Sequence, residues 1–131
     1  MSLPTGPTPA PAPAPADPPV VKFRLRITHG EVIAVGPGKI ALLEAVAACG
    51  SITAAARQLG MSYRRAWLLL DELNRALRVP AVDSAKGGPH GGGSALTAQG
   101  QQLIALYRRI EARANTASQA DIGRLLAMLS G

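Results

Sequence analysis

The stretch SITAAARQLGMSYRRAWLLLDELNRAL, residues 51–77, decides the fold of this chain. Ser51 and Ser62 each stand immediately before a run of helix-forming residues, where a serine side chain accepts a hydrogen bond from a free N–H of the first helical turn. They predict one helix over residues 52–59 and a longer helix that begins at Ser62 and runs to the end of the stretch. Gly60 suits the left-handed conformation that often ends a helix, so only the short segment GMS joins the two helices.

The side chains of these two predicted helices have different characters. The first helix is rich in alanine, and small side chains let a second helix cross closely. The second has an apolar stripe of Tyr63, Ala66, Leu70, Leu73 and Leu77. Its first turn is polar and cationic, with Ser62, Tyr63, Arg64 and Arg65. This is the helix-turn-helix pattern, in which the second helix enters the DNA major groove by its N-terminal end. An ordinary helical hairpin has the same pattern, so the segments that follow must decide.

A glycine-rich hairpin is predicted directly after the second helix. Pro80 should close that helix, residues 81–84 form a short strand, and residues 94–96 return as another. Between the strands lies a glycine-rich loop that can approach phosphate without steric conflict, and Lys86 and His90 supply donors there. A nucleotide-binding loop would need Gly-Lys followed by Ser or Thr, which is missing. The order of elements therefore predicts a wing over residues 81–96.

Upstream of residue 51, the pattern predicts two strands and a helix. Apolar Val21, Phe23, Leu25 and Ile27 alternate with Lys22, Arg24, Arg26 and Thr28, which indicates a strand with one apolar and one basic face. The basic face is best explained as solvated, with phosphate contact as the alternative. His29-Gly30 is a turn into a second strand over residues 31–35. A first helix over residues 37–49 should bury Ile40, Leu43, Val46 and Ala47 before Gly50 ends it.

The C-terminal region, residues 97–130, is predicted to be helical. Thr97 caps a fourth helix, with Leu103, Leu106, Tyr107 and Ile110 at core spacing. A second amphipathic stretch contains Ile122, Leu125, Leu126 and Leu129. The residues around 115–121 include weaker helix formers and leave open whether the helix breaks there.

Composition bounds the function. The formal net charge of +6 suits nucleic acid or an anionic membrane surface, although a basic protein need not have a polyanionic partner. The single cysteine, the missing signal peptide and the lack of a membrane-spanning apolar run favour the cytoplasm and no membrane association. The scattered histidines and Cys49 have no metal-ligand spacing, and no nucleophile motif is present. We therefore expect no enzyme activity and no cofactor.

The predicted organisation is a tail followed by one domain. Residues 1–19 hold eight of the 11 prolines and alternate Ala with Pro, which predicts a disordered tail. Residues 20–131 form the domain, whose helix-turn-helix spans residues 51–78. The predicted fold class is mainly α with a small β component: a winged helix-turn-helix with an N-terminal strand pair and a C-terminal dimerisation helix.

Three segments carry a family resemblance: GPGKIALLEAV (36–46), GSITAAARQLGMSYRRAWLLLDELN (50–74) and KGGPHGGGSALTAQG (86–100). Together, in this order, they resemble the N-terminal DNA-binding domain of the ModE family of molybdate-responsive transcription regulators, which is itself similar to that of LysR-type regulators. The resemblance implies that residues 62–65 face DNA at the start of the reading helix. It also implies a homodimer on a near-palindromic double-stranded DNA site, possible targets being molybdenum-related genes.

The expected sites follow from these patterns and the resemblance. The residues expected to bind DNA are Ser51, Arg57, Ser62, Tyr63, Arg64, Arg65, Lys86 and His90, with a solvated charge as the alternative for Arg57. The expected dimer interface is Leu103, Leu106, Tyr107, Ile110, Leu125 and Leu129. Trp67 should pack at the helix–helix seam, the alternative being contact with DNA. For Tyr63, core anchoring of the ring is compatible with a phosphate contact by its hydroxyl.

The chain departs from the family in one respect. Full-length family members carry C-terminal oxyanion-binding domains, and this sequence ends soon after the fourth helix, so we expect no molybdate site in it. The alternative function is a winged helix used for protein–protein interaction. In that case the surface around Arg64 and Lys86 would be neutral or acidic.

Overall fold

A computed structural model describes residues 17–84 and 93–130, with the side chain of Ser84 excepted. Residues 1–16 of the predicted tail, and residues 85–92 of the predicted wing, lie outside the described residues. The elements in chain order are β1 (Ile27–His29), β2 (Val32–Val35), α1 (Pro37–Cys49), α2 (Ile52–Gln58), α3 (Tyr63–Ala76), β3 (Val82–Ser84), β4 (Ser94–Leu96), α4 (Ala98–Ala117) and α5 (Gln119–Ala127).

The predicted caps define the helix-turn-helix. The Oγ of Ser51 accepts a hydrogen bond from Ala54 N, and the Oγ of Ser62 accepts one from Arg65 N, each at 3.1 Å. Gly60 has a φ of 69°, which a side chain would strain, and this conformation turns the chain sharply between α2 and α3. The starts of both helices are therefore confirmed, and α3 ends slightly earlier than predicted, at Ala76.

The core lies where α1 meets α2, α3, α4 and β4. Its fully buried large side chains are Ile40, Leu42, Leu43, Val46 and Leu73. The prediction that Ala47 is buried is wrong: the last turn of α1, residues 47–49, is exposed, and Leu42 faces the core instead.

The long N-terminal strand predicted over residues 21–28 is wrong except at its C-terminal end. Only residues 27–29 form a strand, because their partner β2 is short and the chain enters α1 directly after it. Ile27 pairs with Val35 at the end of this antiparallel ladder, so the preceding residues have no partner strand within the described part of the chain. Leu25 is held differently, its carbonyl accepting a hydrogen bond from the Tyr107 hydroxyl of α4 at 2.7 Å.

The base of the wing is the antiparallel pair β3–β4, as predicted. It is fixed to the start of α4, where Thr97 Oγ1 donates to the carbonyl of Pro80 at 2.6 Å and Thr97 N donates to that of Ala81 at 2.9 Å. Gly100 lies so close that a Cβ there would be 2.2 Å from the Ala81 carbonyl oxygen. This contact requires glycine at position 100.

The C-terminal helices differ in part from the prediction. The helix that begins after Thr97 does break within residues 115–121, because Ser118 separates α4 from α5. Tyr107 is buried, but Leu106 and Ile110 are about half exposed, so their assignment to the core is wrong. Both point away from the side of α4 that packs on α1.

Among the described residues, no single helix is long and apolar enough to cross a membrane. The pair α1 and α2 reaches that length and composition only when taken together. The two helices are bent by 119° and their large apolar side chains are buried in the core.

Candidate nucleic-acid interface

The helix α3 presents three distinct sides besides its buried one. Ala66, Leu70 and Leu73 pack into the core. One side faces the wing and carries Tyr63, Trp67 and Asn74. Another side faces β2 and the N-terminal segment, residues 20–26, and carries Arg65, Leu69 and Glu72. The outward side between them carries Arg64 and Leu68, which are both exposed.

The first turn of α3 is open to solvent. Ser62, Tyr63, Arg64 and Arg65 are all exposed, and within the described part of the chain neither arginine forms an ion pair. The side chain of Tyr63 is 53% exposed, so its predicted place in the apolar core stripe is wrong. The helix N-terminus adds the partial positive charge of the helix dipole to that of the arginines. This turn can accept an anionic or hydrogen-bonding partner without any rearrangement of the core.

Trp67 lies between the two expected positions. It lines a small cavity with Ile52 of α2 and Val82 of β3, as packing at a seam requires. Nevertheless 44% of its surface is exposed, and it also borders Tyr63 and Arg64. Its ring is therefore accessible on the same side as the open first turn.

The other residues expected to bind DNA have separate locations. Ser51 is half-buried, with its Oγ engaged in capping α2, and Arg57 is exposed in the last turn of α2. Lys86 and His90 lie outside the described residues. Farther along α3, Arg75 pairs with Asp71 at 2.9 Å. No ion pair with a described residue is found for Arg78.

Asn74 connects α3 to the base of the wing, a role that was not predicted from the sequence. Its Oδ1 accepts hydrogen bonds from Ala81 N at 2.8 Å and Val82 N at 3.3 Å, and its Nδ2 donates to the Val82 carbonyl at 3.2 Å. Ala81 and Val82 are buried, so these bonds satisfy backbone groups that water cannot reach. The sequence signal that could have identified this role is an asparagine in the last turns of a helix, a few residues before a proline.

Lys39 performs the equivalent connection on the other side of α3 and was also missed. Its buried Nζ donates to the Ile33 carbonyl of β2 and to Glu72 Oε1 of α3, the latter at 2.5 Å. A buried ammonium needs such partners, since its desolvation is otherwise costly. The lysine thus joins β2, α1 and α3.

Arg108 of α4 braces α1. It forms a two-bond pair with Glu44, with nitrogen–oxygen distances of 2.6 and 3.0 Å, and contacts Glu111 at 2.7 Å. The hydrogen bonds from Arg108 lower the pKa of Glu44 below its ordinary value, and the two carboxylates raise the pKa of Arg108. The pair keeps its charge and holds α4 against the domain.

The described residues contain no group of His, Cys, Asp and Glu side chains that could hold a metal ion. The described part of the site is an exposed helix terminus with two arginines that form no ion pair among the described residues, an aromatic pair and the docked strand pair β3–β4. A protein surface that binds a nucleic-acid groove needs such cationic side chains, because they contact phosphates or base edges.

Comparison with known proteins agrees with this geometry. Residues 38–101 match the family model described as "Bacterial regulatory helix-turn-helix protein, lysR family". Molybdenum-pterin-binding protein MopB of Rhodobacter capsulatus is 47% identical over 78 residues, which cover 60% of this chain and 29% of MopB. The DNA-binding transcriptional dual regulator ModE of Escherichia coli (strain K12) is 44% identical over 71 residues, covering 54% of this chain and 27% of ModE. The match thus spans less than a third of the length of these relatives.

A solved structure has the same fold. The crystal structure of the CbnR DNA-binding domain–DNA complex superposes with a TM-score of 0.52 at 24% identity, over 67% of this chain and 95% of that one. The expected winged helix-turn-helix fold and the family resemblance are both confirmed.

Proposed function

We propose that this chain is a non-enzymatic transcription regulator that binds a near-palindromic double-stranded DNA site as a homodimer. The match of residues 38–101 to the lysR-family helix-turn-helix model and the similarity to ModE support this proposal. The observation that carries the proposal is the open first turn of α3, where Arg64 and Arg65 are exposed and have no acidic partner among the described residues.

In this proposal α3 is the reading element. Arginine can donate two hydrogen bonds to O6 and N7 of guanine, and Arg64 stands on the outward side where a base edge would lie. Tyr63 and Trp67 offer apolar surface beside it. The wing and Arg57 provide backbone contacts, which position the protein without reading sequence. The roles of Ser51, Lys86 and His90 in DNA binding remain predictions.

The homodimer would use the exposed apolar side of the C-terminal helices. Leu106, Ile110, Leu125 and Leu129 are each at least 43% exposed on α4 or beyond it. Tyr107 is buried within its own chain and Leu103 is half-buried against the core. The expected interface therefore narrows to the first four residues.

The test is in vitro selection of bound DNA from a random duplex library, followed by mapping of the bound sequence onto genomic promoters. We expect an inverted repeat with half-sites about one helical turn apart. Recovery of a motif upstream of genes for molybdenum uptake or use would support the molybdenum-related role. Recovery of no enriched sequence would contradict the proposal and favour a winged helix that contacts protein.

A further inference from the structure

We propose that Arg24 and Arg26, on the segment before β1, bind DNA backbone phosphates along the side of α3 opposite the wing. This inference rests on the proposed DNA-binding function and extends its contact surface. It gives a role to the basic residues that alternate with apolar ones over residues 21–26, a segment that forms no strand.

The two arginines line a groove of about 350 Å³ between the N-terminal segment, the start of α1 and the side of α3 that faces them. Its polar lining comes from Arg24, Arg26, Lys39, Arg65 and Glu72. Lys39 and Glu72 pair with each other at 2.5 Å, so their charges offset. The three arginines form no ion pair with any described residue. The groove therefore has an excess of three positive charges and fits a polyanion.

The groove is continuous with the reading surface. Arg65 and Leu69 line it and also line the adjoining depression that contains Ser62 and Arg64. The wing base lies on the other side of α3, where Trp67 and Val82 meet. A duplex that receives the first turn of α3 in its major groove presents a phosphate backbone on each side of that helix. One backbone then faces the wing, and the other faces Arg24 and Arg26.

The N-terminal segment is anchored in a way that presents these arginines. Phe23 and Leu25 are partly buried, while Arg24 and Arg26 are exposed, so alternate side chains point outward. The Leu25 carbonyl between them is held by the Tyr107 hydroxyl at 2.7 Å. The aliphatic part of the Arg26 side chain passes Gly36, just before α1. A Cβ built on Gly36 would lie 3.5 Å from the Cγ of Arg26. Because the segment is already held in place, the two arginines lose less conformational freedom on binding a phosphate than they would on a free chain.

The test compares Arg24→Gln/Arg26→Gln with the unsubstituted chain and with the control Lys22→Gln/Arg78→Gln. The control removes the same charge from residues outside the groove, one of them on the same segment. Affinity for the selected duplex and for an unrelated duplex is measured by fluorescence anisotropy at salt concentrations from about 0.05 to about 0.3 M. The slope of log affinity against log salt concentration then reports the number of phosphate contacts. Unchanged urea unfolding shows that each variant is folded.

Loss of two phosphate contacts should reduce the magnitude of the slope of log affinity against log salt concentration by about 1.8. It should also weaken binding to both duplexes roughly tenfold at physiological salt. The control should change the slope by less than half as much. If the groove variant and the control have the same slope, the inference about Arg24 and Arg26 is overturned while the proposed function stands. If the unsubstituted chain binds neither duplex, the proposed function fails and this inference fails with it.

Discussion

Asn74, near the end of α3, is hydrogen-bonded to Val82 in both directions: its Oδ1 accepts from Val82 N at 3.3 Å and its Nδ2 donates to Val82 O at 3.2 Å. One side chain thereby sets the position of the wing base relative to α3. Lys39 does the same for β2 on the opposite side. The helix α3 is thus fixed from both sides by polar side chains.

Replacing Asn74 by alanine should lower the free energy of unfolding by about 2 kcal/mol, because buried backbone groups of Ala81 and Val82 lose their partners. Urea unfolding measures the loss, and hydrogen exchange at the Ala81 and Val82 amides should accelerate. Asn74→Asp keeps the acceptor for both amides but loses the donor to the Val82 carbonyl, so it should keep exchange at the Ala81 and Val82 amides slower than Asn74→Ala does. Unchanged exchange at both amides would show that Asn74 does not hold the wing.

Gly100→Ala should lower the free energy of unfolding by about 2 kcal/mol or more, because the added Cβ would overlap the Ala81 carbonyl. The matched control is Gly123→Ala in α5, where a Cβ meets no atom within 4 Å. That substitution should stabilise the chain by up to about 1 kcal/mol through helix propensity. Equal unfolding midpoints for the two variants would contradict the close packing of α4 on the wing base.

Lys39→Ala should lower the free energy of unfolding by about 3 kcal/mol, because it removes the partner of Glu72 and Ile33 and leaves a cavity. Lys39→Met keeps most of the volume, so its smaller loss measures the net contribution of the buried ammonium and its two polar contacts. Both values come from urea unfolding. If Lys39→Met is as stable as the parent chain, the polar connection contributes nothing.

Leu106→Glu/Ile110→Glu should convert a dimer into a folded monomer, because charge on an apolar contact is costly to bury. Sedimentation velocity measures the oligomeric state, and circular dichroism the fold. The control Ile27→Glu/Val79→Glu adds the same charge at other exposed apolar positions and should leave the dimer intact. A dimer that survives the first substitution would place the interface elsewhere.

Local sequence signals predicted most of the fold. Ser51, Ser62 and Thr97 cap helices by short-range hydrogen bonds, so their positions define helix starts without knowledge of the tertiary structure. The strand predicted over residues 21–28 forms only from residue 27, because a strand depends on a partner strand that alternation alone cannot supply. Asn74 and Lys39 were missed for the same reason: their partners are distant in sequence or belong to other elements.

The candidate site was predictable only in its first turn. Arg64 and Arg65 follow a cap and are exposed, as expected. The convergence of Arg24, Arg26 and Arg65 on one groove depends on how the N-terminal segment packs against α4 and α1. Periodicity could identify the basic residues but could not show what they face.

The central claim is that the first turn of α3 reads DNA, and binding by Arg64→Ala/Arg65→Ala to the selected duplex tests it most directly. Fluorescence anisotropy at fixed salt should show a loss of affinity of about 30-fold or more, since each specific arginine contact contributes about 1–3 kcal/mol. The control Arg75→Ala/Arg78→Ala, at the other end of the same helical stretch, should bind like the parent chain. Unchanged site-specific binding by Arg64→Ala/Arg65→Ala would contradict the account.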